Sequence, residues 1–239
     1  AFPEYFTHSI RGYRTLFADD TLIRDSWMRI LFNGKPIGYS HTAMNLEEID
    51  GAQRRIVENQ ARLRLKLMGD TRDLTANTML RLSVDNDLEE FQFTVESAGA
   101  LFDIHGIQVG PEQFDVTLKT PQSTTKSRVR IPRHVVLYSP MTEMALKDLN
   151  PGQELAIETF DPMSMAPVTM QVEALRREPL ILDGQTNTAT VLSTRYQQMT
   201  MLSWIDTDGV MVRQETPFGW ILERCTADAA FDALREAGQ

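Results

Sequence analysis

Arg54-Arg55-Ile56-Val57-Glu58-Asn59-Gln60-Ala61-Arg62-Leu63-Arg64-Leu65-Lys66-Leu67 decides the fold class. Val57, Ala61, Leu63, Leu65 and Leu67 fall on one side of an extended chain, and Glu58, Gln60, Arg62, Arg64 and Lys66 on the other. Successive side chains of a strand point to opposite faces, so a period of two marks a long strand with one wet face. Working outward, Gly69-Asp70 reads as a turn, after which Ala76, Thr78, Leu80, Leu82 and Val84 take the same inner, apolar side. Asp85-Asn86-Asp87 interrupts the pattern and Phe91, Phe93 and Val95 resume it. On the N-terminal side, Ser26–Phe32 and Ile37–Leu46 flank Asn33-Gly34-Lys35-Pro36, a hairpin signal because Asn-Gly tolerates positive φ.

Further strands are predicted at Leu101–Val109, Phe114–Lys119 and Ser127–Ile131, with Pro121–Lys126 as a polar loop. Met141, Ala145, Leu146 and Leu149 suggest a short helix that stops at Asn150-Pro151-Gly152. Beyond it, Glu154–Phe160, Val168–Leu175, Thr188–Gln197, Gln198–Ile205, Val210–Thr216 and Phe218–Cys225 read as strands. Phe6, Ile10, Tyr13 and Phe17 recur at helical spacing, predicting an amphipathic N-terminal helix. Thr226 reads as the N-cap of a C-terminal helix holding Ala229, Ala230, Phe231, Ala233 and Leu234. The expected fold is therefore mainly β: a large antiparallel, partly open half-barrel or two-part β structure, with one helix at each end. Its parts are an N-terminal helical segment over 1–25, a first β half over 26–139, and a second β half with the C-terminal helix over 140–239.

Composition excludes several functions. The 239 residues carry 33 acidic and 24 basic side chains, a net charge of -9. Such a surface repels phosphate backbones, so no nucleic-acid partner is expected. No stretch of about 18 apolar residues is present to cross a bilayer as a helix. The chain begins at Ala1, as a mature exported chain or one cut from an N-terminal anchor would. Cys225 is the single cysteine, so no intrachain disulfide can form.

No motif forms a catalytic constellation. His8, His41, His105 and His134 are scattered, without the close pairing of metal ligands. Ser40 and His41 are adjacent on a strand and should diverge to opposite faces. Ser123-Thr124-Thr125-Lys126 has the S-x-x-K spacing of penicillin-recognising enzymes, but the companion S-D-N and K-T-G elements are missing. Asp85, Asp87, Glu89 and Glu96 fit a calcium-loop spacing only until position six, which is Glu90 rather than glycine. Asp206 and Asp208 beside Gly209 read as hairpin chemistry. Cys225, with no histidine after it, reads as a small buried hydrophobe. No enzyme activity, metal or cofactor is expected.

Eight of the twelve methionines follow residue 140: Met141, Met144, Met163, Met165, Met170, Met199, Met201 and Met211. Methionine fills irregular gaps and lines adaptable binding surfaces. Met165, Met170, Met199 and Met201 are the candidate lining of a site for a lipid-like or other apolar ligand.

Trp27-Met28-Arg29-Ile30 followed by Asn33-Gly34-Lys35-Pro36-Ile37-Gly38-Tyr39 resembles the opening hairpin of certain bacterial exported proteins. Ser203-Trp204-Ile205-Asp206 with Asp208-Gly209-Val210, then Pro217-Phe218-Gly219 and Arg224-x-Thr226, resembles their closing hairpin. Asn150-Pro151-Gly152 with Phe160-Asp161-Pro162 resembles their middle. In that family the β-rich region stands alone or precedes a transglutaminase-like domain, and its style is similar to the unclosed barrels of LolA/LolB lipoprotein carriers. The resemblance implies a half-barrel in the periplasm or cell envelope; together with the strand count and the methionines of the second half, it leads to the expectation of a non-catalytic binding or accessory module. A structural subunit of a membrane-anchored assembly, held by a membrane-associated protein partner, is the alternative. It carries over no functional residues, and the transglutaminase Cys–His–Asp order is absent from this chain.

Overall fold

A computed structural model describes residues 12–16, 24–67, 70–137, 142, 146, 148–162, 164–182 and 185–237. The strands are β1 (Arg24–Phe32), β2 (Lys35–Ile49), β3 (Ala52–Leu67), β4 (Asp70–Leu82), β5 (Leu88–Ser97), β6 (Ala100–Gly110) and β7 (Gln113–Lys119). They continue as β8 (Thr124–Arg130), β9 (Glu154–Asp161), β10 (Ala166–Leu182), β11 (Gln185–Tyr196), β12 (Met199–Asp206), β13 (Met211–Glu215) and β14 (Trp220–Cys225). Two helices, α1 (Tyr13–Leu16) and α2 (Ala227–Glu236), complete the described elements. The hydrogen-bonded order is β8-β7-β6-β5-β4-β3-β2-β1-β14-β13-β12-β11-β10-β9. This is the mainly β, unclosed antiparallel sheet that the alternating polarity predicts. Of the expected N-terminal helix only residues 12–16 are described, and they hold the single turn α1; Phe6, Ile10 and Phe17 lie outside. The short helix expected near 140–149 falls largely outside the described residues as well.

The chain divides into two compact units: Phe17–Arg133 with Leu222–Gln239, and Ala1–Leu16 with His134–Ile221. The C-terminal helix thus groups with the strands β1–β8. The reason is packing. The Phe231 ring of α2 lies 5.2 Å from Trp27 and 5.5 Å from Tyr39, centroid to centroid. Ala230 and Ala233 are the buried residues of this helix, and Thr226 caps it by accepting from the Ala229 N–H.

In the unit built on β1–β8, tight hairpins set the register. Asn33-Gly34, Asp50-Gly51 and Ala98-Gly99 each join two strands with φ between 51° and 79°, the doubly positive pattern of a two-residue I′ turn. Met28, Ile30, Met44, Val57, Leu80, Leu82, Phe91, Ile104, Phe114 and Val116 form the buried apolar face. Asn59 lies on this face too, donating from Nδ2 to Ser40 Oγ at 3.0 Å and Thr42 Oγ1 at 2.7 Å. The two buried hydroxyls are thereby satisfied.

In the other unit, β10 runs well past the expected Leu175. A bulge between Ala174 and Arg176 changes the alternation, so Arg176, Glu178 and Leu180 continue paired with β11. Leu155, Ile157, Met170, Val172, Leu192, Thr194 and Ser203 are buried. Ala189, Val191, Trp204 and Val212 make a further buried cluster. The outer edge of β9 is covered by residues around Val136, whose N–H donates to Glu158 O at 3.1 Å and whose carbonyl accepts from the Phe160 N–H at 2.9 Å.

Candidate functional site

The polar side of β2–β5 carries a groove of about 550 Å³. Antiparallel register lines its walls up in two rows. One row pairs His41 with Gln60, Gln60 with Asn77, and Asn77 with Thr94. The next pairs Ala43 with Glu58, Glu58 with Met79, and Met79 with Gln92. Directly paired residues share a face, so the alternation that buries Val57 and Leu80 turns these polar groups into the groove. The groove therefore lies on the wet side of the sheet, while the apolar side read as the inner one is the buried face, with Val57, Leu63, Leu80 and Leu82 in it.

The first row is hydrogen-bonded across four strands. Tyr39 OH donates to Gln60 Oε1 at 3.3 Å, Gln60 Nε2 to Asn77 Oδ1 at 3.1 Å, and Asn77 Nδ2 to Thr94 Oγ1 at 3.3 Å. An amide has two donors and two acceptor lone pairs. Gln60 and Asn77 therefore each keep one N–H and one lone pair for a visitor. Gln92 Nε2 donates to the buried Asp103 carboxylate at 2.8 Å, which also lies 3.6 Å from Lys119 Nζ.

One end of the groove is aromatic. The Trp27 ring stacks on His41 at 3.8 Å with 14° between planes. His41 Nε2 is bonded to Asp25 Oδ1, which holds the imidazole upright against the indole. At the far end, Glu90 is clamped by Arg81 at 2.5 Å and His105 at 2.6 Å. Among the described residues, the Glu58 carboxylate has no hydrogen-bond or ion-pair partner, and no Lys or Arg lines the groove.

Among the described residues the sequence candidates for chemistry stay apart from one another. Ser40 is on the opposite face from His41, as strand alternation requires, and is held by Asn59. His41, His105 and His134 are engaged with Asp25, Glu90 and Glu158, and among the described residues none meets a hydroxyl or thiol. Ser123 closes a surface turn with Thr120. Asp206 accepts from the Asp208 and Val210 N–H groups, which is hairpin chemistry. Cys225 is half-buried on β14. Among the described residues no group of three His, Cys, Asp or Glu side chains could hold a metal ion, and no helix is long and apolar enough to cross a membrane.

The methionine candidates lie in the other unit. Met170 pairs with Tyr196 and Tyr196 with Met199, which puts both methionines in one row; Met201 pairs with Thr194 in the next. Met170 is fully buried, whereas Met199 and Met201 are half-buried. Met165 is separate, in the turn before β10 with φ 55°. Met141, Met144 and Met163 lie outside the described residues. A smaller hollow of about 250 Å³ in that unit is lined by Glu154, Gln171, Val172, Glu173, Ser193 and Arg195, none of them a methionine.

Sequence reasoning missed the groove. Gln60 was legible only as one more wet position on a strand, and Asn77 as the gap between Ala76 and Thr78. Their signal was uncharged amides where charged residues would solvate a strand equally well.

No family model matches the chain, and no curated protein matches it. Among solved structures, a DUF1089 family protein from Pseudomonas aeruginosa matches with TM-score 0.40 at 17% identity over 75% of this chain and 90% of that one, too slight a likeness to carry an argument. A β-barrel-like protein of the domain of unknown function DUF1849 from Brucella abortus matches with TM-score 0.59 over 86% of this chain and 96% of that one. At 8% identity that second likeness concerns the fold alone, and the fold it shows is a β-barrel-like domain.

Proposed function

We propose that this chain is a non-catalytic binding module of the bacterial cell envelope, holding a polar ligand in the β2–β5 groove. The observation that carries this reading is the hydrogen-bonded row Tyr39–Gln60–Asn77–Thr94, which is pre-ordered yet keeps donors and acceptors unspent. Pre-ordered polar groups bind without a further ordering cost. The lining favours a polar ligand over the lipid-like one that the methionines suggest. The envelope location rests on the likeness of the Trp27–Tyr39 and Ser203–Thr226 segments to exported proteins. The test is thermal unfolding of the purified chain against polar small molecules and fatty acids. A polar compound should raise Tm, and Asn77→Leu should abolish the rise. Stabilisation by fatty acids alone would overturn the reading.

A second reading, a structural subunit of a membrane-anchored assembly, is favoured by β8. This strand ends the sheet order and is exposed along nearly its whole length. An unpaired strand edge is a template for a partner chain. Cross-linking through cysteines placed at Thr125 and Ser127 should capture a membrane-associated protein in cells. Failure to capture any removes this alternative.

A further inference from the structure

We infer that the ligand class of the groove is a neutral saccharide; this rests on the binding reading above. Three features converge on it. First, a sugar hydroxyl donates and accepts together, and Gln60 and Asn77 each hold one unspent N–H and one unspent lone pair on neighbouring strands. Second, Trp27 stacks on the His41 imidazole and Asp25 is bonded to its Nε2, so the aromatic ring that lines one end of the groove is held in place. The C–H face of a pyranose ring packs on such a surface, and Ala43 and Met79 extend the apolar floor beside it. Third, the unpartnered Glu58 carboxylate can accept from two adjacent hydroxyls, a charge-assisted pair of bonds.

The competing classes fit less well. Phosphorylated or carboxylated ligands need a cation, and no Lys or Arg lines the groove. An extended peptide takes its affinity from main-chain pairing with a strand edge, whereas every strand of the groove is hydrogen-bonded on both sides. Acyl chains gain nothing from a lining of amides and hydroxyls.

The test is calorimetric titration of the full chain with cellotetraose, maltotetraose and N-acetylchitotetraose. At least one should bind. Asn77→Leu and His41→Ala should each weaken that binding by about tenfold, the loss expected for a hydrogen bond or a stacking face. Glu58→Gln is the safeguard against misfolding, because Glu58 is exposed and keeps no other residue in place; it too should weaken binding. Saccharide binding indifferent to all three substitutions overturns the inference. So does absence of binding to all three sugars. If Asn77→Leu still abolishes a thermal shift caused by another polar compound, the binding reading survives without the saccharide; if no compound shifts Tm, both fall.

Discussion

The Phe91 ring occupies the space a side chain on Gly106 would need. The two are directly paired across β5 and β6, and a Cβ on Gly106 would come within 2.2 Å of the ring carbons. Phe91 is fully buried and packs 6.0 Å from both Phe93 and Phe114, so the ring cannot swing aside. Gly106→Ala should therefore cost about 1–3 kcal/mol, the usual penalty for overpacking. Adding Phe91→Leu should return part of the loss, since residues in contact are not additive. Urea denaturation of the single and double variants measures both; an unchanged midpoint for Gly106→Ala would refute the packing.

Tyr13 links α1 to the chain at Leu137. Its hydroxyl accepts the Leu137 N–H at 2.8 Å and donates to the Leu137 carbonyl at 3.4 Å. Tyr13→Phe strands a buried N–H, which should cost about 1–3 kcal/mol. Burial also pushes the phenol above its ordinary value of 10.0, and the hydrogen bond to Leu137 offsets this only partly. The unfolded chain then releases this proton first. The contribution is whole below pH 10 and is lost as pH climbs from there towards the folded value. Stability should fall above pH 10 more steeply in the parent than in Tyr13→Phe, as denaturant midpoints across the alkaline range would report.

The strand at Arg54–Leu67 was plain in the sequence because from Gln60 to Leu67 one side is wet and the other apolar without a break. Asn33-Gly34 and Asp206–Gly209 were equally plain, since their turn chemistry is local. What the sequence could not show depends on distant partners. Phe231 finds Trp27 and Tyr39 only once the sheet exists, so α2 could not be assigned to the first strands. Arg176-Arg177-Glu178 followed by Pro179 looks like a strand end, yet the bulge after Ala174 carries the pairing on to Leu182. The groove is the sharpest case. Gln60 and Asn77 are 17 positions apart and become neighbours only through register.

Glu178 should report acid through Trp204. Its Oε1 accepts the indole N–H at 2.6 Å while Oε2 accepts from Arg176 Nε at 2.7 Å. The Arg176 bond, then the Trp204 bond, hold this carboxyl below its ordinary 4.5. The stabilisation is present above pH 4.5 and is lost as pH falls through the depressed folded value. Indole emission should change over that range, and Glu178→Gln should flatten the change by removing the titrating group. A titration identical in the variant would assign the signal elsewhere.

Thr194 is a place where a change should help the fold. Its side chain is fully buried between Val172 and Met201 on adjacent strands, and among the described residues its hydroxyl has no hydrogen-bond partner. A buried hydroxyl left unpaired costs about 1–3 kcal/mol. Valine has the same branched shape and β preference without the hydroxyl. Thr194→Val should therefore raise stability, by about 1 kcal/mol, visible as a higher urea midpoint at an unchanged slope. The same substitution tests the methionine face, because Met201 pairs with Thr194 and Met170 and Met199 flank the next row. If that face held an apolar molecule through the Thr194 hydroxyl, Thr194→Val would instead weaken its retention, and native mass spectrometry of protein purified from cells would show the loss. A stabilised variant with an unaltered mass spectrum would leave the hydroxyl as an unpaid cost of the fold and the β2–β5 groove as the place to look for the ligand.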